Sequence, residues 1–247
     1  MKKLRGYPEI TERQIEALCF YETNDYLLMN SILWGNYGEI FKALDIINND
    51  ALCVMKQARE VGVEKRWGYA KPFGDWLYKT YKKRSYQNLT QKTFDMRMQQ
   101  ACEDIKSILE IMQPLKNDLL VYRNIRYDNK QEKYTVGTRL KLKGFNSTST
   151  NIHHDSYASK QPKFLRYEIY VPKGTPAIVV AALAEYLRNE QDEVILPPIE
   201  CQITDVLHGD SENCSAVIKM QFEKVLKVDL DKHKSALKNI KICEREK

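Results

Sequence analysis

The 247-residue chain, 43% hydrophobic and carrying 3 Trp, 15 Tyr and 7 Phe, holds enough apolar material for one large domain and excludes disorder over most of its length. A formal charge of +6 and a pI near 8.8 give a cationic surface compatible with a pyrophosphate ligand. The basic residues are dispersed and match no nucleic-acid motif, and no run of about 18 apolar residues offers a membrane span, so neither nucleic acid nor membrane is an expected partner.

The first third reads as helical. Thr11 is a candidate cap before Glu12-Arg13-Gln14, and Ile15, Leu18 and Cys19 follow at helical spacing. Tyr26, Leu27, Met29, Asn30, Ile32 and Leu33 predict a second helix that ends near Gly35-Asn36, and residues 39–58 predict a third. Between Thr90 and Leu115, the apolar positions Phe94, Met98, Cys102, Ile105, Ile108 and Ile111 predict a longer amphipathic helix with Pro114 near its end.

From Asp118 the period changes. Leu119 to Arg123 is an apolar run of strand length, and Phe164 to Val171 alternates in period two before Pro172-Lys173-Gly174. Short apolar runs at 177–180, 193–196, 201–206 and 216–222 follow, split by turn residues. Helices first and strands afterwards indicate an α+β chain. The expected organisation is a single domain over residues 1–232, helical to 117 and strand-rich over 118–232, with a basic tail over 233–247. The Lys-rich tail reads equally as loose chain or as a terminal helix.

Six cysteines without a CxxC pair and four histidines without HxxxH spacing give no metal site, so no metal is expected and the thiols read as buried and reduced. Met1 to Pro8 carries charge but lacks the apolar stretch of a signal peptide.

Three segments carry candidate chemistry: Val121-Tyr122-Arg123-Asn124, Gly144-Phe145-Asn146-Ser147-Thr148-Ser149, and Gln191-Asp192-Glu193-Val194-Ile195-Leu196-Pro197-Pro198. Each alone has an ordinary structural meaning: a salt-bridged Arg on a strand, hydroxyls on a half-exposed strand, an edge-strand charge. Their order and strand context give them weight. Together they resemble the Arg–Ser–Glu class of mono-ADP-ribosyltransferases, which includes the clostridial Rho-modifying exoenzymes and the actin-modifying binary toxins. That class carries Tyr-Arg on a first strand, Phe-x-Ser-Thr-Ser on a second, and Glu/Gln-x-Glu leading into an apolar strand that ends in Pro. The resemblance covers residues from about 10 to 225.

The fold it implies is two antiparallel sheets packed with helices around a central NAD cleft, with an N-terminal helical region. It implies NAD as substrate, Arg123 gripping the phosphates, Ser147 holding the nicotinamide side of the cofactor site and positioning Glu193, and Glu193 bonding the ribose 2′-OH beside the reacting carbon. Asn124, Thr148, Ser149 and Asn30 fall at nucleotide-contacting positions, and Tyr157 and Lys160 fall in a loop over the dinucleotide. Residues 181–190 correspond to the acceptor-recognition turn; Tyr186 reads either as its exposed aromatic or as a core residue. Gln191, two before the glutamate, is the residue type that accompanies modification of amide side chains, so an acceptor other than Arg is expected. Two positions depart from the pattern: Asn124 replaces the usual Gly, and Trp34 replaces an Arg often found four residues after Asn30. The stretch from Gly62 to Gln91 is longer than the family core and reads as a target-binding insertion or an extra helix pair.

The activity implied is transfer of ADP-ribose from NAD to an Asn, Gln, Thr or Ser side chain of a protein target, by a monomeric bacterial effector acting in the host cell cytosol. An NAD glycohydrolase and a catalytically silent NAD-binding domain are the competing readings.

Overall fold

The structure is a computed structural model that describes residues 10–21, 26–35, 91–126, 134–154, 163–183, 192–209, 213–227 and 230. The predicted helix over 39–58, the segment 62–90 and the basic tail lie outside the described residues. The chain divides into two compact units, one formed by Met1–Ile111, Glu185–Asn189 and Val228–Lys247, the other by Met112–Ala184 and Glu190–Lys227.

Three helices are described in the first unit: α1 (Glu12–Tyr21), α2 (Tyr26–Trp34) and α3 (Gln91–Ile111). A reciprocal capping box starts α1, with Gln14 N donating to Thr11 Oγ1 at 3.3 Å and Thr11 N to Gln14 Oε1 at 2.7 Å. Gly35, at φ 81°, ends α2 in the left-handed conformation and donates its N–H back to Ile32 O at 3.2 Å. The predicted spacing on α3 gives a buried stripe of Met98, Cys102, Ile105 and Ile108, to which α1 adds Ile15 and Leu18 and α2 adds Met29 and Ile32. Arg13 forks onto Asp104 at 2.8 and 2.9 Å and ties α1 to α3.

The second unit is built on strands. These are β1 (Leu119–Arg126), β2 (Arg139–Leu142), β3 (Asn146–Ser149), β4 (Phe164–Val171), β5 (Ile178–Val179), β6 (Glu193–Leu196), β7 (Ile199–His208) and β8 (Cys214–Val225), with a 3-10 turn, Val180–Leu183, after β5. They form one mixed sheet in the order β2-β7-β8-β4-β1-β3-β6-β5. This corrects the expected pair of antiparallel sheets in two ways. The β4–β8 pairing is parallel, and the ladder is continuous from edge to edge. Continuity rests on very little: β1 and β3 share one register position, Tyr122↔Ser149, whereas β1 and β4 pair along their full length. Five strands therefore lie on one side of that junction and three on the other.

Alternation along the five-strand side builds the core. Val121, Ile169, Met220 and Ile203 stand side by side across β1, β4, β8 and β7, with Tyr167 beside Ile218. β2 was not foreseen. Its Arg139-Leu140-Lys141-Leu142 alternates exposed charge with half-buried leucine, a pattern suited to the sheet edge it occupies.

Candidate active site

The geometry of Ser147 and Glu193 follows from register. β3 and β6 pair antiparallel with Ser149 opposite Glu193 and Ser147 opposite Ile195. The pleat puts these four residues on one face, with Ser147 and Glu193 as diagonal neighbours. Ser147 Oγ donates a 2.6 Å hydrogen bond to Glu193 Oε1. Glu193 is only 5% exposed; a carboxylate so placed is tolerated when it is hydrogen-bonded, and a short O–H···O⁻ bond is of the strong, charge-assisted kind. On the other face of β3, buried Thr148 donates Oγ1 to Val194 O at 2.6 Å and pins the two strands together.

Arg123 comes from β1, next to Tyr122 at the single β1–β3 register position. Past that position the two strands share no further ladder pair. Across this break the half-buried Arg123 donates Nη1 to Asn146 Oδ1 at 2.9 Å. Among the described residues, Asn146 is the one hydrogen-bond partner of the guanidinium, and no carboxylate pairs with it. Asn146 leads directly into Ser147, so Arg123 is joined to the Ser147–Glu193 pair through one residue of β3. Strand alternation turns Arg123 toward the Asn146 and Thr148 side of β3, while Ser147 and Glu193 occupy the other side. The three groups therefore surround the break rather than sharing one flat face.

The entry to β6 is also tied down. Thr150 N donates to Asp192 O at 2.8 Å, and Asn151 Nδ2 reaches Asp192 Oδ2 at 3.4 Å. Ser149 Oγ accepts Asn151 N at 3.0 Å. Ser149 and Asn124 are both buried. Of the remaining sequence candidates, Asn30 is fully buried on α2 in the helical unit. Gln191, Tyr157, Lys160 and Tyr186 lie outside the described residues. In the turn before Tyr186, Ala181 is exposed and Leu183 is buried. His153 is exposed, and His154 Nδ1 lies 3.0 Å from Asn151 O.

Asn146 was quoted in the sequence motif but given no role. Its partners, the carbonyls of Gly144 and Pro197 and the Arg123 guanidinium, are far apart in the chain or hidden in the backbone, so no local signal marked it. Cys102, Cys201 and Cys214 are buried and not in disulfides; burial pushes the Cys201 thiol up to about 12, and Cys102 upward as well. Among the described residues no cluster of His, Cys, Asp or Glu could hold a metal ion, and no helix is long and apolar enough to cross a membrane.

Solved structures share this fold. The Clostridium limosum C3 exoenzyme superposes with a TM-score of 0.50 at 15% identity, covering 87% of this chain and 87% of its own. The ADP-ribosylating toxin BECa of a Clostridium perfringens binary enterotoxin, solved with NADH, gives 0.54 at 14% identity, covering 87% of this chain and 44% of its own. The Salmonella SpvB ATR domain gives 0.51 at 17% identity, covering 87% of this chain and 100% of its own. At such identities these likenesses establish the fold. No curated protein matches by sequence. The sequence model of the ADP-ribosyltransferase exoenzymes matches residues 79–224, more than half of the chain and all three motif segments. The chain belongs to the ADP-ribosyltransferase exoenzyme family, NAD-dependent mono-ADP-ribosyltransferases that take NAD as substrate.

Proposed function

We propose that this chain transfers ADP-ribose to an Asn, Gln, Ser or Thr side chain of a target protein, with Arg123, Ser147 and Glu193 as its working groups. The observation that carries the reading is the 2.6 Å bond from Ser147 Oγ to the buried Glu193 carboxylate. It fixes one carboxylate oxygen and so aims the group.

Cleavage breaks the bond between the ribose C1′ and the nicotinamide nitrogen. The bonding pair leaves with nicotinamide, neutralising its pyridinium charge, and positive charge spreads over C1′ and the ring oxygen, as in glycoside hydrolysis. A carboxylate held at the 2′-OH opposes a charge that is largest in the transition state, so it lowers the barrier beyond any gain in binding. The acceptor's nitrogen or oxygen then bonds to C1′ and gives up its proton. Arg123, free of any carboxylate partner among the described residues, retains donors for pyrophosphate oxygens.

Gln191 supports the choice of acceptor. A neutral amide hydrogen-bonds an amide or hydroxyl acceptor but cannot ion-pair a guanidinium. Buried free thiols suit a reducing compartment, which supports an effector acting in host cytosol. The test is incubation of the protein with labelled NAD and host lysate, followed by mapping of the modified residue. Label on Asn, Gln, Ser or Thr, lost in Glu193→Ala, is expected. Label on Arg overturns the acceptor assignment, full labelling by Glu193→Ala overturns the catalytic one, and nicotinamide release without labelled protein identifies a glycohydrolase.

A further inference from the structure

Asn146 is 3% exposed, and both ends of its carboxamide are engaged. Nδ2 donates to Gly144 O at 2.8 Å and to Pro197 O at 3.1 Å, with Leu142 O at 3.5 Å. Oδ1 accepts Arg123 Nη1 at 2.9 Å. The orientation of the amide follows from chemistry: a guanidinium has no acceptor and a carbonyl has no donor, so one flip state satisfies the guanidinium and the carbonyls together. Asp has the right shape but would turn oxygen lone pairs toward two carbonyls. Leu has the volume and none of the bonds. The Gly144 carbonyl precedes β3 and the Pro197 carbonyl follows β6, so the same amide closes the end of the strand pair that carries Ser147 and Glu193.

We propose that Asn146 is a positioning residue for dinucleotide binding, holding the Arg123 guanidinium across the β1–β3 break in the place where it meets the NAD pyrophosphate. This rests on the assignment of Arg123 to the phosphates. Asn146 touches no substrate itself; it acts by restricting a long, rotamer-rich side chain before ligand arrives, which lowers the ordering cost of binding. The alternative is a peg that only closes the strand pair, with the Arg123 contact incidental to function.

A double-mutant cycle separates the two. The probe is NADH, which carries the same pyrophosphate but lacks the pyridinium leaving group, with Kd read from its fluorescence. Arg123→Ala is expected to raise Kd by about 10- to 100-fold, the range for losing a charged hydrogen-bond donor. Asn146→Ala is expected to raise it by about 5- to 10-fold in the parent chain, and by less than about twofold once Arg123 is already alanine. If Asn146→Ala leaves Kd unchanged while Arg123→Ala weakens binding, or if the two penalties multiply in full, the proposal is overturned and the role of Arg123 stands. If Arg123→Ala leaves Kd unchanged, the phosphate assignment itself fails and the proposal falls with it. Should the alanine variant lack a cooperative thermal transition, Asn146→Leu, close in volume, takes its place in the cycle with the same outcomes.

Discussion

Removing the Ser147 hydroxyl tests the site at its shortest contact. Ser147→Ala deletes the donor 2.6 Å from Glu193 Oε1 and leaves a 5%-exposed carboxylate with one bond fewer. A hydrogen bond to a charged group contributes about 1.5–3 kcal/mol. If that free energy orients Glu193 for the transition state, the same amount is lost from the barrier, and kcat for nicotinamide release falls about 10- to 150-fold. The KM for NAD should move little, because the ground-state dinucleotide does not yet carry the charge that the carboxylate stabilises. The assay is steady-state release of nicotinamide from labelled NAD at several concentrations, with a thermal melt to show that the variant folds. A folded variant within twofold of the parent kcat, or one whose whole loss lies in KM, refutes the argument that this bond aims the carboxylate.

Gln191→Ala should keep nicotinamide release within about threefold while labelling of the protein target drops by at least about tenfold, if Gln191 serves the acceptor and Glu193 the bond cleavage as proposed; the two rates are measured side by side. Thr148→Val keeps shape but loses the 2.6 Å bond to Val194 O; it should cost about 1 kcal/mol and lower the melting temperature by roughly 2–4 °C, read by calorimetry. The Cys201 thiol, held protonated up to about 12 when folded, ionises near 8.5 once unfolded. Its contribution to stability is therefore complete below pH ~8.5 and declines as pH rises toward ~12, by up to about 1.4 kcal/mol per unit. Urea midpoints at pH 8 and pH 10 should converge in Cys201→Ala compared with the parent, and iodoacetamide at pH 8 should leave Cys201 unmodified until the chain unfolds.

Period and order made much of the second unit legible. Phe164 to Val171 alternates as a strand should and is one, and Glu193 to Leu196 is a short apolar run bounded by turn residues. The cap at Thr11 and the stripe on α3 are likewise local signals read correctly. What stayed hidden was pairing. Nothing local in Phe164–Val171 or Cys214–Val225 tells a strand to pair parallel, and a ladder joined at a single position, Tyr122↔Ser149, cannot be told from two sheets by periodicity. The β2 segment was missed because four residues alternating charge and leucine sit below the length at which alternation commands attention. Asn146 was missed because its role depends on carbonyls at 144 and 197 and a guanidinium at 123, which only the fold brings together.

The break between β1 and β3 gives the site its form. A full ladder there would bury the edges of both strands in mutual hydrogen bonds; a single shared position leaves the residues beyond it able to turn side chains into the gap. Opening a sheet in this way risks slippage, and a one-residue slip of β3 against β6 would send Ser147 to the face opposite Glu193. Three hydrogen bonds resist that slip, none of them made by Ser147 or the Glu193 side chain: Thr148 Oγ1 on Val194 O, Thr150 N on Asp192 O, and Asn146 Nδ2 on Pro197 O. The 2.6 Å separation of Ser147 and Glu193 is in this sense a consequence of register, and register is held by bonds that neither Ser147 nor the Glu193 side chain makes: two from side chains and one from the Thr150 backbone N–H. In the proposed mechanism, preorganisation of the Glu193 carboxylate is thereby built into the sheet's hydrogen bonding, where it costs nothing further at the moment of reaction.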